Sequence, residues 1–425
     1  MKKLLLPFLF VATLVFTACI EDDDTPIIIE EKVITIIEDG GNGGSDQTEV
    51  VVVAGGIALN TTWTNDKIWV LDRKVVVQEG VTLTIEPGTI IKGRAGTGSL
   101  SSALIVARGG KIMAEGTSAQ PIIFTAEADN IDAGETTGTN LDENNRGLWG
   151  GLLILGNAPC SFSGDVEELQ IEGIPADDTF GLYGGNEPAD NSGVLTYVSI
   201  RHGGALIGEG NEINGLTLGG VGSGTIIDNV EVVANVDDGI EFFGGTVNAT
   251  NLLVYAQGDD GLDIDQAYSG TISNAVVALG DISDHALEID GPEGSLTGAF
   301  TLENVTLIGN TITSKGEYAD YRSRAQGATN NVFAYGFKDD ADVELDNDAV
   351  ATNYNDGTLT FSAWEIVLPG AVTDVNNLFV NKAESVVVTG FGSEATAVNQ
   401  GSQTVGAIVS NFSWTWANYA GNLGF

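Results

Sequence analysis

The sequence predicts an all-β solenoid, a parallel β-helix, on three observations. Short runs of β-branched and aliphatic residues alternate with glycine-rich turns, and the chain of 425 residues carries 57 glycines. No run of about 12 residues has helical periodicity, apart from a short piece near the C-terminus. An asparagine precedes an apolar strand six times: NVEVV from Asn229, NLLVY from Asn251, NAVVA from Asn274, NVTLI from Asn304, NVFAY from Asn331 and NLFV from Asn377. The intervals of 22, 23, 30, 27 and 46 residues fit one coil each, the last fitting two coils or one with an insertion. Equivalent residues of successive coils stack about 4.8 Å apart, so inward asparagines are expected to form an amide ladder.

Taken in order, residues 1–18 have a basic start (Lys2, Lys3), an apolar run and small residues before Cys19, as a secretory signal does. The ending LVFTAC resembles a bacterial lipobox. That resemblance implies a lipidated Cys19 held in outer-membrane lipid, and CIEDDD after it resembles the export signal of Bacteroidetes surface lipoproteins, implying a location on the cell exterior. Residues 19–50, acidic and containing GGNGGSD, are expected to be a flexible tether. Residues 51–405 form the expected β-helix. VTLTIEPGTIIKG (81–93), ALIVARGGKIMAEGT (103–117), PIIFTA (121–126) and RGLWGGLLILG (146–156) resemble the opening coils of pectin-lyase-like right-handed β-helix proteins. Residues 406–425, with Trp414, Trp416 and Tyr419, are expected to cap the open end of the solenoid, where bare strand edges would aggregate. The pairing of strands within 127–195 is left open by the pattern.

Charge narrows the partners. There are 17 Lys and Arg against 59 Asp and Glu, a formal charge of −42, which argues against nucleic acid and anionic lipid surfaces. Cys160 is the one cysteine left after Cys19, so no internal disulfide forms, and it reads as a small buried apolar residue. His202 reads as a structural histidine.

The acids repeat with the coils. DDGIEFF (237–243), DDGLDID (259–265) and DHALEID (284–290) align so that Ile240, Leu262 and Leu287 point inward, as do Phe242, Ile264 and Ile289. Glu241, Asp263 and Glu288 then form an outward row that Asp265 and Asp290 extend, with Asp237, Asp259 and Asp284 stacked at the turn before it. Two readings stay open for this ladder. It is either a solvated row of surface acids or a site for Ca²⁺, which takes hard oxygen ligands. A third reading comes from resemblance. The order Asn235-x-Asp237, Asp259-Asp260, His285, Arg322-x-Arg324 is similar to that of polygalacturonases. It implies Asp260 as general acid, Asp237 and Asp259 activating water, His285 orienting the acid, and Arg322 holding a sugar carboxylate. Here His285 lacks flanking glycines and Arg324 stands where the family pattern has lysine.

The sequence thus leads to a lipid-anchored surface β-helix that binds a polysaccharide or a partner protein, or plays a structural part there. The alternative is a hydrolase or lyase acting on acidic glycan.

Overall fold

The computed structural model describes residues 32–33, 48–174, 178–205 and 213–425. The expected signal peptide and Cys19, and all of the expected tether up to residue 47 except Lys32 and Val33, lie outside them. Those two residues pair antiparallel with Val51 and Val52.

Strands wind into a right-handed parallel β-helix. One side of the coil is a ladder of short parallel strands that includes Ala103–Val106, Leu152–Leu155, Leu216–Gly219, Ile240–Phe243, Leu262–Asp265, Leu287–Ile289, Ala319–Tyr321, Val343–Leu345 and Phe379–Asn381. The other two sides come from one longer strand per coil, bent at a single left-handed residue. These are Gly193–Arg201, Ile226–Val233, Asn248–Tyr255, Thr271–Ala278, Phe300–Ile308, Gly327–Tyr335 and Leu359–Ile366. The interior is apolar: Ile240, Leu262, Leu287, Ala319 and Val343 stack in one column and Phe242, Ile264, Ile289, Tyr321 and Leu345 in the next, all at most 1% exposed.

The bend explains the asparagines. Asn229, Asn251, Asn274, Asn304 and Asn331 all have φ between 54° and 60°. Most residues pay about 1–2 kcal/mol for that conformation, while asparagine offsets it with local hydrogen bonds. Asn251 donates to Asp228 (2.8 Å), Asn274 to Asn251 (2.6 Å) and Asn331 to Asn304 (3.1 Å). Two corrections follow. These side chains stand outside the corner, not in the core, because the C-terminal segment reaches Asn251 and Asn274 there. Asn377 is not part of the ladder. It lies in the 3-10 turn Val375–Leu378, and the corner after Asn331 is Ala363, at φ 51°. Tyr197 (φ 50°) makes the corner before Asn229. Replacing Asn274 with alanine keeps the strain and removes the bonds to Asn251 and to the Ile408 N–H, a loss of about 2–3 kcal/mol. Asn274→Gly relieves the strain and loses about 1 kcal/mol less. Urea denaturation giving equal stabilities for the two variants would contradict this account of the corner.

The C-terminal segment is also corrected. It does not plug the open end. It runs back along the side of the solenoid, and successive coils hold it in turn. Glu365 accepts from Thr404, Thr306 from the Ala407 N–H, Asn274 from the Ile408 N–H and Asn251 from Asn411. Glu231 ends the series, accepting from the Trp416 (3.1 Å) and Ala417 (2.7 Å) N–H groups. The reason is apolar burial: Phe412, Trp416 and Ala417 cover Val233, Leu253 and Val276 on the outer face of these strands. One helix went unforeseen, Asp348–Asp356, capped by the Asn347 side chain and a left-handed Gly357. Among the described residues no helix is long and apolar enough to cross a membrane.

Candidate functional site

The outward positions of the short-strand ladder form one continuous column: Val76, Ile105, Leu153, Thr217, Glu241, Asp263, Glu288, Asp320, Glu344, Val380. Its character changes part-way. The first three residues are apolar, and the excursion between Asn157 and Ser192 covers them with Phe162, Ile171, Ile174 and Tyr183. Beyond Thr217 the cover ends and five carboxylates follow in succession. At coil spacing, neighbouring unit charges repel by roughly 3 kcal/mol at an effective dielectric of about 20.

These acids do not splay into solvent, which corrects the reading of a solvated row. All but Glu344 line a cleft of about 570 Å³, of whose 14 lining residues 11 are acidic and none is Phe, Tyr or Trp. Glu241 is 5% exposed, and Asp238, Asp260, Asp320 and Glu344 are equally buried. Burial first, then the neighbouring carboxylates, drives protons onto three of the acids that line the cleft. Asp238, Glu241 and Asp263 are held well above the usual carboxylate range. Asp320 is raised to about 7, chiefly by burial, with His285 opposing.

Of the residues singled out from the sequence, Asp237, Asp259, Asp260, His285 and Arg322 meet in this cleft, as do Glu241, Asp263 and Glu288. Arg324 does not. It is exposed and donates to the Gly294 carbonyl instead. Asp265 and Asp290 flank the cleft, with burial as the first cause raising them to about 7 and about 6. Neither joins a cluster of three acids among the described residues. The structure adds Asp238 and Asp320, and Glu344 continues the row just beyond the cleft; the signal for the last two was present in A-D-Y and V-E-L, the same apolar-acid-apolar triplet.

Countercharge divides the cleft. At its C-terminal end basic side chains stand among the acids. Arg322 pairs with Glu288 and lies 3.6 Å from Asp290 and 3.8 Å from Asp320. Lys315 is 2.6 Å from Asp284, and Lys382 pairs with Glu344. Both the backbone N–H and Nδ1 of His285 lie 2.8 Å from Asp260 Oδ1. Burial works to lower the imidazole pKa, but that bond and the fields of Asp260, Asp284 and Asp320 outweigh it and raise it to about 9. At the N-terminal end, Asp238, Glu241 and Asp263 have no Lys, Arg or His within 4 Å among the described residues. Asn214 donates to Glu241, and the Asp263 Oδ1 atom is buried with no hydrogen-bond partner. One oxygen from each of the three acids lies within 4.8 Å of the other two. Ligand oxygens 2.3–2.6 Å from one Ca²⁺ can be about 5 Å apart, so the donor set fits a hard divalent cation.

A family model described as a pectate-lyase like β-helix domain matches residues 55–418. The chain belongs to this family. No curated protein and no solved structure matches it. The pectate-lyase-like domain thus spans nearly the whole solenoid and the start of the returning C-terminal segment. Two residues outside the cleft read as expected. Burial raises the Cys160 thiol to about 12, and His202, 1% exposed with its ring against the Asn145 carbonyl, is lowered to about 4 by burial.

Proposed function

We propose that the protein is a cell-surface binding protein for acidic polysaccharide, which it contacts through a divalent cation held by Asp238, Glu241 and Asp263. The observation carrying this reading is the buried triad without a basic partner. Three adjacent carboxylates, of which Asp238 and Glu241 are almost fully buried, take up protons or share a cation, and hard oxygen donors at this spacing suit Ca²⁺. A cation there turns an acid-lined cleft into one that attracts a uronate carboxylate. Pectate, for which the family is named, is a polymer of such sugars. No Phe, Tyr or Trp stands among the described residues of the lining, which points the same way, toward charge and not stacking on sugar faces. Lipid attachment through Cys19 would present the cleft to polymer outside the cell.

The hydrolase reading is the second one, favoured by the meeting of Asp260, His285 and Arg322. The His285 bond to Asp260 is the one that reading expects. Against it, Arg322 is engaged with Glu288 and so is not free to hold a sugar carboxylate.

Calcium-loaded protein should stay on polygalacturonate coupled to resin, leave it on chelation, and pass through a neutral-glycan column. Glu241→Gln with Asp263→Asn should abolish retention. Retention that survives both chelator and substitution would overturn the reading. Neither reducing ends nor an unsaturated ultraviolet-absorbing product is expected from polyuronate. General acid catalysis supplies about 10²–10⁴-fold, so turnover lost in Asp260→Asn would be plain and would replace this proposal with the hydrolase. Cys19→Ser should release the protein from membranes, and unchanged membrane association would refute the anchor.

A further inference from the structure

The third side of the solenoid carries no cover. It is the half of each long strand before the bend, continued toward the N-terminus by Thr61–Trp63, Thr82–Ile85 and Lys111–Glu115. Together these make ten parallel rungs in register. None of the outward side chains in its two columns is buried. The outward column that runs from Thr62 to Thr360 contains no charged residue, in a chain of formal charge −42. Its middle is apolar. Met113, Val194 and Ile226 follow one another in successive coils, and Ile226 is 53% exposed. Thr84 and Asn248 continue the column on either side.

From this we infer that two copies of the chain pack sheet to sheet on this side, about a two-fold axis running along the Met113–Val194–Ile226 column. Charge selects the partner. A basic protein would take the acid-lined side, whereas a second copy, equally acidic, meets least repulsion at the uncharged column. Size agrees. Ten rungs at about 4.8 Å by five residues at about 3.3 Å give roughly 800 Å² per copy, about 1,600 Å² in all. That is the area of a standard stable interface, and an apolar centre with a polar rim is its usual anatomy.

The rim charges set the direction of the axis. Lys111 and Glu115 both point outward on one strand, on either side of Met113. Among the lysines whose side chains are described, Lys111 alone has neither an ion pair nor a hydrogen bond, and Glu115 has none either. A two-fold along the column sets Lys111 of each copy opposite the partner's Glu115, twice per dimer. A two-fold along the strands at Val194 would instead bring Glu115 against Asp228, like charge on like. The other outward acids are held within their own sheet: Asp228 accepts from Asn251 at 2.8 Å and Glu303 from Ser273 at 3.2 Å.

Sedimentation of the full chain over a range of concentrations decides the matter. A dimer is expected, and Val194→Lys with Ile226→Lys should leave a monomer. Lys111→Glu and Glu115→Lys, each alone, should weaken the dimer at least about tenfold, and the two together should restore it. Circular dichroism matching the parent shows that each variant is folded. A parent monomeric at every concentration, or a dimer indifferent to the paired lysine substitutions, would overturn the contact. Single charge reversals that have no effect, or that the double variant fails to repair, would overturn the two-fold along the column.

Discussion

Glu231→Ala is expected to lower the unfolding free energy by about 3–5 kcal/mol and to free the last twenty residues for proteolysis. Glu231 is fully buried on the outer face of its strand. Its carboxylate accepts from the Trp416 and Ala417 N–H groups and from the Ser199 hydroxyl at 2.6 Å. Ser199 in turn accepts from the Arg201 side chain, itself 1% exposed. Truncation strands three donors together with a buried guanidinium, and each lost partner costs about 1–3 kcal/mol. It also unpins the segment that covers Leu253 and Val276. The C-terminal segment has no Lys or Arg after Lys382 but several aromatic residues, so chymotrypsin is the protease to use. Glu231→Gln keeps the shape and one acceptor, and should fall between the parent and the alanine variant. A C-terminal segment as resistant in Glu231→Ala as in the parent would show that apolar contact alone holds it.

That segment also marks where the sequence stops being legible. Its partners Asn274, Asn251 and Glu231 lie 134, 160 and 185 residues away, and nothing periodic in 406–425 points to them. The solenoid, by contrast, was written in short range. Asparagine at φ near 60° repeats because the bend demands it, and I-E-F, L-D-I and L-E-I alternate because one side faces the core. The same logic failed where the local chemistry changed. Tyr197 and Ala363 occupy the same bend without the amide signal, so the register was lost after Asn331. Asp320 and Glu344 continue the acid column, but at 32 and 24 residues after their predecessors and without the preceding D-D-G or D-H turn, they did not stand out. Burial of the acids was invisible for a different reason. The excursion carrying Glu172 walls one end of the cleft, while Arg322 and Lys315 come from later coils, and no pattern within one coil reports such neighbours.

The charge of that column leads to the second large effect: metal-free protein should melt higher near pH 5 than at pH 9, and calcium should narrow the difference. Asp290 is raised to about 6 and Asp265 and Asp320 to about 7, each first by burial, from an ordinary value of 3.8. Between those limits the folded state binds more protons than the unfolded chain, so stability falls as pH climbs from about 4 to about 7. His285, raised to about 9 from 6.5, contributes stability that is complete below 6.5 and lost as pH rises through 9, in the same direction. His202 acts oppositely. Lowered to about 4, it stabilises above 6.5 and ceases to do so as pH falls to 4, which offsets one of the three carboxylates over that range and leaves the net slope unchanged in sign. Calcium binds the ionised carboxylates, so its benefit grows with pH. At a hundredfold excess over Kd it adds about 2.7 kcal/mol per site, a rise on the order of 5 °C in Tm at pH 8. Asp238→Asn should remove most of that rise. Scanning calorimetry in chelator and in millimolar CaCl₂, across pH 5 to 9, measures both halves. A metal-free protein that grows steadily more stable toward pH 9 would mean the cleft acids carry no excess protons, and the burial argument for a cation would fall with it.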